Sequence, residues 1–148
     1  MKTFIKKWLI KSWLKKYGIT NYTINDDYII DIYGDVSLSG YNLKGVPSYI
    51  QFGTVKGDFY CSFNQLTSLR GCPKKVEGNF SCTYNKLTTL KGAPREVGRN
   101  FYCNNNKLTS LEGAPELVIK NFYCNYNNTQ FTTRDVNKVC KVIDNIYV

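Results

Sequence analysis

Phe59, Phe80, Phe101 and Phe122 recur every 21 residues, and so do Cys61, Cys82, Cys103 and Cys124, Asn64, Asn85, Asn106 and Asn127, and Leu66, Leu87 and Leu108. Three steps without slippage mean that one small unit is stacked on itself, because a unit of 21 residues cannot bury its apolar face alone. The chain of 148 residues therefore reads as a single stacked domain, with any function on one of its surfaces.

Three interior repeats run 57–77, 78–98 and 99–119, and a truncated fourth begins at Lys120. Each reads as a strand (Asn79-Phe80-Ser81-Cys82), an Asn corner (Asn85), a Leu-x-x-Leu turn (Leu87, Leu90), Gly-x-Pro (Gly92, Pro94) and an apolar return (Val97). Alternation along the strand sends Phe80 and Cys82 inward and Asn79, Ser81 and Thr83 outward. Stacking turns the inward residues into columns of Phe, Cys and Leu, and places each corner Asn where its amide can bond backbone groups of adjacent coils.

Both flanks depart from the period. Met1 to Tyr17 predicts a helix stopped by Gly18. Its apolar residues are poorly segregated from its lysines, so much of its surface has to be covered. Tyr22–Ile24 and Tyr28–Ile32 predict a hairpin, with a further strand at Val36–Leu38. At the other end, Thr132 and Asp135 predict a capping box opening a short helix to Cys140, and residues 142–148 a closing strand. The expected organisation is residues 1–56 as N-terminal helix, hairpin and imperfect repeat, 57–127 as solenoid, and 128–148 as C-terminal cap.

Chemistry is sparse. The sequence holds six cysteines and no histidine, so imidazole catalysis and the commonest zinc ligand are excluded. Stacked strands sit ~4.8 Å apart, which spreads four columnar cysteines over roughly 14 Å; zinc needs four thiolates at about 2.3 Å around one point. The column predicts buried, reduced thiols, with no metal and no cofactor. No nucleophile, base and orienting group assemble from these motifs, so no enzyme activity is expected. No apolar run is long enough to cross a bilayer and no leader is visible, which predicts a cytoplasmic protein without membrane insertion.

The net charge of +9 is unevenly placed: Lys2, Lys6, Lys7, Lys11, Lys15 and Lys16 stand in the first twenty residues without an acid. Any polyanion site is expected there, at Lys7, Lys11 and Lys15.

Phe-x-Cys-x-x-Asn-x-Leu, as in Phe80 to Leu87, is similar to the Leu-x-Leu-x-x-Asn-x-Leu segment of leucine-rich repeats, and NKLTSLEGAP at 106–115 resembles their short bacterial class. The repeat GxFxCxxNxLTSLxGxP is most similar to small leucine-rich-repeat-like proteins of tailed bacteriophages and some bacteria. The match covers 57–127, and departs from ordinary repeats in its strand Phe and Cys and in Thr129, where a leucine is missing. The resemblance implies an α/β solenoid, a leucine-rich-repeat-like stack with a parallel sheet of one strand per repeat, a helix/hairpin cap and a helix/strand cap. It also implies a non-enzymatic binding scaffold, such as a phage accessory protein that binds and modulates a host or defence protein in the host cytoplasm.

The outward columns supply the candidate protein-binding residues Tyr60, Phe63, Tyr84, Tyr102, Asn104, Tyr123, Asn125 and Tyr126. Rigid amphipathic rings beside adaptable hydrogen bonders, with little charge, are the composition of a protein-binding face. Nucleic-acid binding is the alternative, with the basic helix on phosphates and the strand-face rings stacked on bases.

Overall fold

A computed structural model describes residues 3–148; Met1 and Lys2, which the sequence placed in the helix and in its lysine cluster, lie outside the described residues. Helix α1 (Thr3–Lys16) is followed by β1 (Tyr22–Ile24), β2 (Ile30–Ile32), β3 (Val36–Ser37), β4 (Phe52–Val55) and β5 (Phe59–Tyr60). The strands β6 (Lys75–Val76), β7 (Phe80–Ser81), β8 (Glu96–Val97), β9 (Phe101–Tyr102), β10 (Leu117–Val118) and β11 (Phe122–Tyr123) form the middle. Helix α2 (Thr133–Asn137), β12 (Lys141–Val142) and β13 (Ile146–Tyr147) complete the order.

The architecture is a β-solenoid of about six turns. The single sheet expected from the repeat is two: β1-β2-β4-β6-β8-β10-β12, and β13-β11-β9-β7-β5-β3. Each coil contributes one short strand to each sheet, and every pairing is parallel except the β1–β2 hairpin. The first sheet, beyond its predicted β1–β2 hairpin, is built through the repeats from the segment the sequence predicted only as an apolar return. Val76, Val97 and Val118 are fully buried there, each in register with its copy one coil away. One buried residue per two-residue strand is too little alternation to announce a strand.

Register is kept at 21 residues from β4 through β11 and relaxes at both ends. Val36 pairs with Phe59, and the Asp58 amide donates to Asp35 across 23 positions; Phe122 pairs with Ile146, and the Asn145 amide donates to Asn121 across 24. The residues 142–148 predicted as one closing strand are split between β12 and β13, one in each sheet. The capping box is present: the Asp135 amide donates to Thr132 Oγ1 at 3.2 Å, and the Thr132 amide to Asp135 Oδ2 at 3.0 Å.

The core is the set of inward columns. Phe59, Phe80 and Phe101 stack at 5.7 and 5.4 Å between ring centroids, nearly parallel. The spine is extended at the N-terminal end by Phe52 and Trp13, which with Ile10 and Leu14 docks α1 onto the stack. Gly92 turns the chain back at φ +93, and a Cβ there would sit 2.6 Å from the Leu69 carbonyl carbon. The coils therefore approach too closely at that corner for any side chain.

Two polar ladders run along the stack. Asn85 donates to the carbonyls of Cys61 and Cys82 at 3.0 Å each and accepts the Leu66 amide at 2.9 Å; Asn64, Asn106 and Asn127 repeat the arrangement. The sequence anticipated this column. It missed the second, in which Asn79 takes its place behind Asp58: Oδ1 of Asp58, Asn79 and Asn100 accepts both the backbone and the side-chain N–H of the residue 21 positions on.

Candidate functional site: the outward strand face

The predicted face divides into two columns three residues apart along each coil. Along the strands run Tyr60, Ser81, Tyr102, Tyr123 and Tyr147. At the corner run Asn42, Phe63, Tyr84, Asn105 and Tyr126.

In the strand column the rings lie against one another. Tyr102 and Tyr123 are 4.7 Å apart and Tyr123 and Tyr147 4.5 Å, both stacked. Tyr147 is a member the sequence did not indicate, because the 24-residue last coil hides its register. Tyr60 stands alone and donates its hydroxyl to Asp58 Oδ2 at 2.7 Å. Burial alone would raise the Asp58 pKa, but the Asn79 amides and the Tyr60 hydroxyl bonded to that carboxylate outweigh it and hold it below its ordinary value. Burial, reinforced by that carboxylate, raises the Tyr60 phenol.

Ser81 is the correction. It was expected to point out to solvent, yet it is buried, as is Ser62, whose hydroxyl lies 2.7 Å from its own. A short side chain in a column of tyrosines is overshadowed by its neighbours, and the two hydroxyls satisfy each other. The six aromatics are likewise not one evenly exposed patch, since Tyr60, Tyr102 and Tyr123 are half-buried.

The corner column is the more unusual. Asn42, Phe63, Tyr84, Asn105 and Tyr126 all have positive φ, between 53 and 57°. Asparagine accepts this left-handed conformation readily; a bulky aromatic does so rarely. Three of the five positions nevertheless carry rings, with exposures of 62% for Phe63, 50% for Tyr84 and 75% for Tyr126. Phe63 and Tyr84 stack at 4.5 Å.

Between the columns stand Ser62, Thr83, Asn104 and Asn125. Asn104 Oδ1 is buried without a hydrogen-bond partner among the described residues. At the C-terminal end of the face, Asn125 and Tyr126 line a cleft of about 320 Å³ with Gln130, Phe131 and Val148.

The predicted polyanion residues are elsewhere. Lys7 and Lys11 border a cleft of about 410 Å³ with Tyr22 and Ile24 at the β1 edge, and Lys15 is exposed on α1. The structure thus does not bring the lysines and the aromatic face together as one described site.

All six cysteines are unpaired and buried. The thiols of Cys61, Cys82 and Cys103 donate to the carbonyls of Ser81, Tyr102 and Tyr123 in the next coil at 3.3–3.5 Å. Burial pushes Cys103 well above the usual thiol range and Cys124 up to about 12. Thiols so placed act as small core side chains. Among the described residues no three or more His, Cys, Asp and Glu side chains are grouped to hold a metal ion. No family model matches the chain, and no curated protein or solved structure matches it.

Proposed function

We propose that this protein is a non-enzymatic, leucine-rich-repeat-like binding module, capped at both ends, whose strand face binds another protein. The observation that carries the reading is the corner column. Holding Phe63, Tyr84 and Tyr126 in a left-handed conformation is unfavourable by ~1 kcal/mol or more per residue, and asparagine, present at Asn42 and Asn105, would avoid it. Rings kept outward at a cost to stability fit aromatic anchors for a partner. The half-buried tyrosines and the amides of Asn104 and Asn125 supply the adaptable surround.

The setting we propose is a phage accessory protein that binds and modulates a host or defence protein in the host cytoplasm. Nucleic-acid binding through Lys7, Lys11 and Lys15 is the alternative. It is weakened because the strand-face rings stack on each other, leaving few ring faces for bases.

The test is affinity capture from a bacterial lysate with and without nuclease, using wild type, Tyr102→Ala and a Lys7/Lys11/Lys15 charge reversal. A single nuclease-resistant protein that Tyr102→Ala loses, by ~2 kcal/mol in affinity, and that the charge reversal keeps is the expected result. Loss of every captured partner on nuclease treatment would instead establish the alternative.

A further inference from the structure

Helix α1 has two apolar faces, which is why its sequence pattern reads as poorly segregated. Ile10, Trp13 and Leu14 turn inward and are buried against the end of the Phe spine. Phe4 and Trp8, one helical turn apart, look the other way, exposed to 81% and 60%, with Ile5 beside them at 46%. Lys11 and Lys15 continue that outward side at the next two turns, and Lys16 flanks it, all exposed. None of the ion pairs among the described residues uses a helix lysine.

We infer that this outward face is a docking surface for an anionic lipid bilayer, on which α1 lies in the plane of the headgroups. The inference is independent of the strand-face reading. Three large exposed apolar side chains, continued along the same side of the helix by Lys11 and Lys15, fit an interfacial contact: rings at the acyl boundary, lysines at the level of the headgroups. Two features favour lipid over nucleic acid. Every cation of the helix is lysine, whose stem runs along an acyl boundary while its ammonium stays at the level of the headgroups. Ile5 offers hydrocarbon and no ring for a base. Nothing here spans the membrane: no helix among the described residues is long and apolar enough to cross it.

The test is vesicle co-sedimentation of the full chain with phosphatidylcholine vesicles and with phosphatidylglycerol-rich vesicles, read together with tryptophan emission. Trp13 is buried in the free protein and acts as a constant background, so a blue shift on binding reports Trp8. Expected are binding and a blue shift with the anionic vesicles and, from about five-fold per surface lysine over three lysines, affinity weaker on the order of 100-fold for neutral ones. A Phe4→Ser/Trp8→Ser variant and a Lys11→Glu/Lys15→Glu/Lys16→Glu variant, all at exposed positions, should each lose binding while keeping the wild-type circular dichroism. No binding to anionic vesicles, or equal binding to neutral ones, overturns the inference. So does full retention by Phe4→Ser/Trp8→Ser with equal affinity for a poly-dT strand, which would mean that charge alone draws the helix to any polyanion.

Discussion

Asn85 ties its own coil to the one before it: its Oδ1 accepts the Leu66 amide at 2.9 Å while its side-chain N–H groups donate to the carbonyls of Cys61, in the preceding coil, and Cys82, in its own. Asn85→Asp keeps the shape but removes the donor, leaves each carbonyl with one amide donor in place of two (Asn64 on Cys61, Asn106 on Cys82) and sets a carboxylate against them. With the residue buried, the loss should be ~2–4 kcal/mol. Asn127→Asp, at a half-buried position with the same pattern, should lose less. Urea unfolding of the two variants measures the difference, and equal destabilisation would show that burial does not set the strength of this ladder.

Phe101 packs between Phe80, stacked at 5.4 Å, and Phe122, tilted at 5.0 Å, and is fully buried. Phe101→Ala should therefore lower stability by ~3–5 kcal/mol. The exposed Lys107→Ala should change it by about 0.5 kcal/mol or less. Similar shifts in the denaturation midpoint for both would contradict the inward assignment of the Phe column.

The inward columns were legible because a period of 21 repeats identical side chains at identical places, so Phe, Cys, Asn and Leu announce the core by recurrence alone. The sheet that carries Val76 and its copies was not, because a single buried valine per coil shows no alternation, whereas Phe80 and Cys82 stand two apart on one side of their strand. The strained corner was equally silent. Phe63, Tyr84 and Tyr126 share their column with Asn42 and Asn105, and only these asparagines hint that the position is left-handed. Ser81 misled because strand alternation gives the direction of a side chain and not the height of its neighbours.

The thiol column makes stability fall at alkaline pH. Burial raises Cys103 well above its ordinary value near 9, and Cys124 and Cys140 to about 12. A thiol kept neutral in the fold ionises first in the unfolded chain. Its contribution is intact below about pH 9 and lost as pH rises toward 12, by at most about 1.4 kcal/mol per pH unit per thiol. Burial also raises Tyr60 and Tyr102, with the same sign, so the comparison must isolate one thiol. Cys103→Ala should be less stable than wild type at about pH 8 yet lose less between about pH 8 and about pH 10.5. Parallel losses in urea midpoint would remove the thiols from the explanation.

Tyr126 offers the sharpest separation of stability from function. It sits at φ 57, three-quarters exposed, with no ring stacked on it. Asparagine occupies the same corner at Asn105 with φ 56. Tyr126→Asn relieves the left-handed strain and gives up almost no packing, so it should stabilise the fold by ~0.5–1 kcal/mol. Tyr84→Asn, which forfeits the stack on Phe63, should be nearly neutral because the two terms offset. If the corner rings anchor a partner, both substitutions should weaken capture, by ~1–2 kcal/mol each. Thermal melting and binding are then measured on the same two proteins. A Tyr126→Asn protein that is more stable and binds as wild type would mean that the strained rings serve no partner on this face.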